Sequence, residues 1–181
     1  ILNGITDWVY EEEFAVTNLM AWSPDSEYLA FVRFDESEVP EYSMQMYGEG
    51  LYPGYYEYKY PKAGQKNSKV SVHSYSVVTK DTKEMKVPVE GDFYIPRITF
   101  TQNPDQLAIM TLNRQQNVFN MYYANPKSGV FRLILREENK CYVDSDWLTS
   151  IQFLNNGFTY VSEQDGYSHI YSVSYTHLTL P

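Results

Sequence analysis

The stretch LMAWSPDSEYLAFVRF, residues 19–34, contains the pattern that decides the fold. Two runs of mainly apolar and aromatic residues, 19–22 and 28–34, flank a Ser-Pro-Asp-Ser tetrapeptide. The proline of this tetrapeptide presets φ for a turn, and the side chain of Asp25 can bond to the nearby backbone. Aromatic and β-branched residues favour strands. The stretch therefore predicts two antiparallel strands that are joined by a tight turn.

The same strand–turn–strand pattern recurs twice further along the chain. Residues 98–110 repeat it around an Asn-Pro-Asp turn, and residues 151–161 repeat it around Asn-Asn-Gly. Leu107 and Phe158, which occupy matching positions, are 51 residues apart. Repeats of about 40–50 residues with four strands each are typical of β-propeller blades. The 18 tyrosines bring the aromatic share to 17%, and aromatic residues favour strands. We therefore predict an all-β fold, a partial β-propeller of about three four-stranded blades.

One insertion interrupts the repeat. Leu29 and Leu107 also occupy matching positions, but they are 78 residues apart, and the excess falls in residues 36–67. This segment is rich in tyrosine, is broken by glycine and proline, and lacks the apolar alternation of an inner strand. One interpretation is a surface loop that packs on its own blade. The other is a projecting arm for a protein partner, because exposed amphipathic aromatic side chains favour interfaces.

The composition excludes several classes of protein. Hydrophobic residues make up 43% of the 181 residues and charged residues 20%, which is typical of a folded globular chain. The formal net charge is −9. An acidic surface repels phosphate backbones and anionic lipid headgroups, so we expect neither a nucleic acid nor a membrane as partner. The single cysteine, Cys141, allows no internal disulfide and no thiolate metal site.

The motifs of a complete catalytic site are missing from the sequence. It contains no Gly-x-Ser-x-Gly nucleophile elbow and no glycine-rich phosphate loop. The three histidines, His73, His169 and His177, do not have the spacing of a metal site. We therefore expect no catalytic residue, no metal and no cofactor in this chain.

The best candidate for a binding site is the triplet Glu11-Glu12-Glu13. Asp7 can cap a short helical turn before it, with Tyr10 and Phe14 four residues apart on one face. Two converging carboxylates can hold a primary ammonium, whose three N–H donors suit carboxylate acceptors. An acidic triplet is more often a solvated face. Here the neighbouring aromatic residues would bury part of the segment, where a charge-assisted hydrogen bond is stronger.

Several motifs follow one another along the chain: Trp8-Val9-Tyr10-Glu11-Glu12-Glu13, Trp22-Ser23-Pro24, Tyr60-Pro61-Lys62-Ala63-Gly64, Tyr94-Ile95-Pro96-Arg97-Ile98, and the run from Ser162 to Tyr171. In this order they resemble the N-terminal β-propeller domain of the dipeptidyl peptidase IV family, a group of prolyl oligopeptidase-type serine peptidases. The resemblance covers most of residues 3–174 and is strongest to bacterial members. It implies a fragment of an eight-bladed propeller that is paired with an α/β-hydrolase domain, and the hydrolase domain is absent from this sequence.

The resemblance also implies an activity. Enzymes of this family remove dipeptides with proline or alanine in second place from peptide N-termini. By position, Glu12 and Glu13 match the two glutamates that hold the substrate's free α-ammonium, whereas Glu11 has a structural or solvent role. Implied partners are peptide or protein N-termini, the protein's own hydrolase domain, and a second copy that is bound through the 36–67 arm. The implied location is periplasmic or otherwise extracytoplasmic.

Some parts of the sequence depart from the family pattern. The family's aromatic substrate wall would fall near residues 141–147, but the pattern there does not align and no residue is assigned. Residues 175–181 do not resemble the family, so we predict a propeller fragment over residues 1–174 and a separate tail. Two alternatives stay open. The chain could be a non-enzymatic propeller that binds partners, or part of a related prolyl tripeptidyl peptidase or endopeptidase.

A propeller fragment also leaves its terminal blades without neighbours on one side. Faces that are meant for a neighbouring blade are apolar, and a blade without its neighbour exposes them. We expect the exposed faces to include Leu19, Phe31, Phe153 and Tyr160.

Overall fold

The computed structural model describes residues 1–174, which form antiparallel sheets with one α-helix and one 3₁₀ helix. The elements in chain order are β1 (Leu2–Asn3), α1 (Trp8–Phe14), β2 (Met20–Trp22), β3 (Tyr28–Asp35), β4 (Glu41–Met46), β5 (Gly54–Lys59), β6 (Lys69–Ser76), β7 (Thr82–Met85), β8 (Phe93–Phe100), β9 (Leu107–Asn113), β10 (Val118–Ala124), β11 (Phe131–Glu138), the 3₁₀ helix η1 (Asp146–Ser150), β12 (Gln152–Leu154), β13 (Gly157–Ser162) and β14 (His169–Ser174).

The first blade consists of β2, β3, β6 and β7 in that order, and β1 also pairs with β3, beyond the part of β3 that β2 occupies. The predicted turn between β2 and β3 is confirmed. The backbone N–H of Ser23 donates to the carbonyl of Tyr28 at 2.9 Å, and the Ser23 hydroxyl donates to Asp25 at 2.6 Å. These bonds close the turn and set Trp22 opposite Leu29.

The second blade consists of β8 to β11, and the third contains β12 to β14. One apolar core runs through all three blades. At the junction of the second and third blades, the η1 residue Trp147 packs against Phe119 at 4.9 Å and Tyr160 at 5.7 Å between ring centroids. The prediction of a partial all-β propeller with a short helix near its N-terminus is therefore confirmed.

The inserted segment, which lies between β3 and β6 in the sequence, forms a hairpin of β4 and β5. The two hairpin strands form a sheet of their own. Strand alternation gives the hairpin two different faces. The inner face carries Tyr42 opposite Tyr58, Met44 opposite Tyr56, and Met46 opposite Gly54. The hairpin contacts the rest of the chain through Tyr60, whose ring lies 4.3 Å from that of Trp8.

The prediction for the exposed terminal faces is wrong at two positions. Leu19 and Tyr160 are both buried in the common core. Tyr160 shares a face of β13 with Phe158, and both rings belong to that core, because alternate residues of a strand lie on the same side. The exposed apolar residues of the terminal blades include Met20 and Trp22 at one end, and Leu154 and Ile170 at the other.

The predicted boundary before residues 175–181 lies outside the described residues. Within residues 1–174, no helix has both the length and the apolar character that a membrane crossing needs.

Candidate functional site

Helix α1 begins at the cap that the sequence predicts. The Asp7 carboxylate accepts a hydrogen bond from the backbone N–H of Tyr10 at 3.1 Å and another from the Ser68 hydroxyl at 2.6 Å. The second bond ties the start of the helix to the residue that precedes β6. Asp7 is buried, and this burial raises the pKa of its carboxyl above the ordinary value of 3.8.

The middle of α1 is anchored on the second blade by Tyr10. This ring is buried and packs edge-to-face on Phe34, at 4.7 Å between centroids. Its hydroxyl accepts a hydrogen bond from the backbone N–H of Ile95 at 2.8 Å. The pairing of β8 with β9 shifts between Tyr94 and Arg97, so Ile95 lies in a bulge outside the regular ladder. Tyr10 therefore satisfies a buried donor that the sheet leaves unpaired.

The end of α1 is held by Arg97. Ala15 adopts the left-handed conformation, with φ of 49°, and so ends the helix one residue after Phe14. The Arg97 guanidinium donates to the Phe14 carbonyl at 3.1 Å and to the Pro96 carbonyl at 2.9 Å. Partial burial lowers the pKa of Arg97. This cation lies at the C-terminus of the helix, where the terminal carbonyls need donors.

The three glutamates of α1 do not share one environment. Glu12 and Glu13 line a cavity of about 410 Å³ between the end of the helix, Arg97 and η1. Glu11 lines a different cavity, which lies between the helix and the β4–β5 hairpin. The Gln116 side chain, which follows β9, donates to the Glu13 carboxylate at 3.2 Å. The structure thus brings the two predicted ligand residues together and separates the third from them.

The cavity beside Glu12 and Glu13 has a mixed lining, in which Phe14, Ala15 and Leu148 lie among charged and polar side chains. Besides the pair it includes Arg97, Asp146, Ser145 and Thr149. The Arg97 guanidinium donates to backbone carbonyls, and Glu12, Glu13 and Asp146 add three carboxylates around the cavity. Such a lining favours a ligand that carries a positive charge and several N–H donors.

Sequence reasoning missed three residues of this site. Arg97 lies in one of the quoted motifs, where its charge within an apolar strand could have been noticed. Gln116 and Asp146 carry no local signal, because blade packing alone brings them near α1. In residues 141–147, where an aromatic wall was expected, Asp146 lines the cavity while Trp147 packs into the core. Among the described residues no group of His, Cys, Asp and Glu is placed to hold a metal ion.

The successive antiparallel blades and their shared core define this chain as part of a β-propeller. Residues 1–178 match the family described as the dipeptidyl peptidase IV (DPP IV) N-terminal region, and the chain belongs to that family.

Solved structures and curated relatives agree with this assignment. The crystal structure of Porphyromonas gingivalis dipeptidyl peptidase 4 superimposes with a TM-score of 0.93 at 59% sequence identity, and the match covers 99% of this chain and 26% of that one. A putative dipeptidyl aminopeptidase IV from Bacteroides ovatus matches with a TM-score of 0.81 at 28% identity, over 96% of this chain and 24% of that one. Mouse prolyl endopeptidase FAP is 31% identical over 97% of this chain and 25% of the mouse protein. This chain therefore spans about a quarter of the length of such relatives.

Proposed function

We propose that this chain is the substrate-recognition part of the propeller in a dipeptidyl peptidase IV-like serine exopeptidase, which removes X-Pro or X-Ala dipeptides from peptide N-termini. In this proposal Glu12 and Glu13 hold the α-ammonium of the substrate. The observation that carries it is that these two carboxylates line one cavity, at the end of a helix anchored on two blades, while Glu11 faces elsewhere.

The chemistry of the cavity suits an amino terminus. An ammonium offers three N–H donors, which two carboxylates can accept together. A blocked N-terminus has lost this charge, and a segment inside a polypeptide has no ammonium. Recognition of the charge therefore measures where the peptide begins, as an exopeptidase requires. The anchoring of α1 by Tyr10 and Arg97 supports this role, because a preorganised site loses less entropy on binding.

The direct test is a calorimetric titration of the chain with glycyl-proline amide and with its N-acetylated form. We expect the free amine to bind and the acetylated form not to bind. Glu12→Gln or Glu13→Gln should weaken binding about tenfold, because each removes one charge-assisted hydrogen bond. Glu11→Gln is the matched control and should leave the affinity unchanged. Equal effects at all three positions would contradict the assignment of the pair.

The same substitutions have a catalytic readout. In the longer protein that joins this propeller to a hydrolase domain, Glu12→Gln or Glu13→Gln should lower kcat/KM for a Gly-Pro chromogenic substrate by about tenfold or more. The 181-residue chain alone should hydrolyse none of this substrate, because its sequence offers no nucleophile elbow. Activity that survives rigorous purification of the chain would contradict the proposal.

An endopeptidase is the second candidate, and the likeness to mouse prolyl endopeptidase FAP favours it. An endopeptidase accepts substrates without a free N-terminus. Cleavage of an N-acetylated Gly-Pro substrate by the longer protein, at a rate close to that of the free amine, would select this candidate over the exopeptidase.

We also propose that the tip of the hairpin mediates dimerisation with a second copy. Tyr47, Leu51 and Tyr52 at the tip are 81%, 98% and 88% exposed, an unusual concentration of free apolar surface. Deletion of residues 40–64 from the longer protein should give monomers in light scattering, and a cooperative thermal melt should show that the propeller stays folded. A deletion variant that stays dimeric would identify the hairpin as a simple surface loop. An extracytoplasmic location remains a prediction of the family resemblance, which cell fractionation can test.

A further inference from the structure

A second cavity lies on the other side of α1, under the inner face of the hairpin. This hairpin cleft has a volume of about 660 Å³, larger than the cavity beside Glu12 and Glu13. It lies between the helix and the two hairpin strands. Its lining consists of Leu2, Thr6, Asp7, Trp8, Glu11, Glu36, Met44, Met46, Tyr56, Tyr58 and Lys59.

The walls of the hairpin cleft are aromatic and thioether side chains. Tyr56 and Tyr58 are two residues apart in β5, so they share a face, and their ring centroids are 5.5 Å apart. Met44 lies opposite Tyr56 in the pairing of the two strands. Across the cleft, the indole of Trp8 is backed by Tyr60 at 4.3 Å. Three aromatic rings thus surround a space that the chain itself does not fill.

The floor of the hairpin cleft is acidic. Within the described residues, the carboxylates of Glu11 and Glu36 make no hydrogen bond and no ion pair. Burial raises the pKa of Glu36 and the Asp7 carboxylate raises it further, while the N-terminal ammonium and Lys59 lower it in part. The one basic side chain of the lining, Lys59, pairs with Glu41 at 3.2 Å. The cleft lining therefore carries the three carboxylates of Asp7, Glu11 and Glu36 against the single ammonium of Lys59.

We propose that the hairpin cleft binds the cationic side chain of an arginine or lysine residue in a partner polypeptide. A cation over the faces of tryptophan and tyrosine is attracted by their ring quadrupoles, most strongly where water is excluded. The aliphatic stem of arginine or lysine matches the methionine and tyrosine walls. The guanidinium or ammonium then donates to Glu11 and Glu36. An anionic ligand would meet two unpaired carboxylates, and a purely apolar one would leave them desolvated.

This inference is independent of the function proposed for Glu12 and Glu13. The hairpin cleft would bind a charged side chain, whereas the cavity beside Glu12 and Glu13 would bind an α-ammonium. A ligand with a blocked N-terminus therefore separates the two. Nα-acetyl-arginine amide carries the guanidinium alone, and Nα-acetyl-citrulline amide has nearly the same shape without the charge.

The test is a calorimetric titration of the 181-residue chain with these two amides, together with Nα-acetyl-lysine amide. We expect saturable binding of the arginine or lysine amide and at least tenfold weaker binding of the citrulline amide. Glu36→Gln should weaken the cationic ligand at least fivefold, and Tyr58→Leu should weaken it by a similar factor. Glu57→Gln is the matched control, because Glu57 lies on the opposite face of the same strand and should have no effect. Thermal melts of each variant separate lost binding from lost folding.

Several results would overturn the inference. Equal affinity for arginine and citrulline amides would show that charge is not recognised. Equal losses for Glu36→Gln and Glu57→Gln would show a diffuse effect of net charge. A loss of arginine-amide binding in Glu12→Gln with none in Glu36→Gln would place the ligand in the other cavity. The chain could also bind the amides as a monomer and lose this binding at concentrations where sedimentation shows dimers. That result would identify a second copy of the chain as the occupant of the cleft.

Discussion

Helix α1 and the β4–β5 hairpin both lie outside the blade sheets, and both are rich in aromatic and acidic residues, yet the chain holds them differently. The helix is tied at its start by Asp7 to Ser68, in its middle by Tyr10 to Ile95, and at its end by Arg97. Each tie is a hydrogen bond to a residue distant in sequence. The hairpin meets the rest of the chain at its base and leaves most of its tyrosines exposed.

The difference shows that composition alone does not decide what an acidic and aromatic segment does. Anchored on two blades, the seven residues of α1 hold Glu12 and Glu13 beside one cavity, which is the arrangement that the proposed recognition of an α-ammonium needs. The hairpin offers a broad and adaptable surface, which suits contact with another polypeptide. Substitutions in the helix should therefore lower the stability of the chain, whereas substitutions in the hairpin should have little effect on it.

The largest effect is expected at Tyr10. Tyr10→Ala should lower the free energy of unfolding by about 3–5 kcal/mol in a denaturant titration, because it leaves a cavity in the core and an unpaired N–H at Ile95. Tyr55→Ala on the exposed face of the hairpin is the control and should change it by less than about 0.5 kcal/mol. Similar losses at both positions would break the contrast between helix and hairpin.

The next effect concerns Asp7. Asp7→Ala should cost about 1–2 kcal/mol through loss of the helix cap. Asp7→Asn should retain the cap, since an asparagine side chain also accepts from the Tyr10 N–H.

The pH dependence at Asp7 has a definite sign. The pKa of Asp7 in the folded chain is raised above 3.8. Its contribution to the free energy of unfolding is therefore fully present below pH 3.8 and is lost as the pH rises through the folded pKa. Asp7→Asn has no such loss. It should therefore gain stability relative to the unsubstituted chain as the pH rises from below 3.8 towards neutrality. A relative loss over this range would contradict the direction of the shift.

A smaller effect of opposite sign is expected at Ala15. The left-handed conformation costs a residue with a Cβ about 1–2 kcal/mol, and glycine avoids this cost. The greater freedom of glycine in the unfolded chain offsets part of this gain, and Ala15→Gly should still raise the free energy of unfolding by about 0.5–1 kcal/mol. Ala21→Gly in strand β2 should instead lower it. Thermal melts of the two variants would contradict this account if both changed in the same direction.

The smallest effect is expected at the base of the hairpin. Lys66 and Lys69 both pair with Glu38 and lower its pKa to about 2. Any contribution of Glu38 is present above its ordinary pKa and is lost as pH falls towards about 2. Because the group is exposed, water and salt screen it. Glu38→Gln should leave the melting temperature unchanged at physiological salt, and a clear decrease there would show that the hairpin is anchored after all.

Much of the fold could be read from local patterns. The turn at Ser23 and Asp25 has its own chemistry, and it recurs in related form before Leu107 and Phe158. The cap at Asp7 and the helix after it follow from neighbouring residues in the same way. Each of these features depends on contacts between residues close in sequence, so they leave a signal in the sequence.

In the candidate site, too, some features follow from local sequence and others from contacts between distant residues. The sequence by itself determined that three consecutive glutamates follow a capped and aromatic helical turn, since composition and spacing are local properties. Only the tertiary structure decided that Glu12 and Glu13 line one cavity while Glu11 lines another. It also decided that Arg97, Gln116 and Asp146 join the pair, although they lie about 80 to 130 residues further along the chain. The physical reason is that stacking of blades, through a core shared by all three, brings together surfaces that no local pattern encodes.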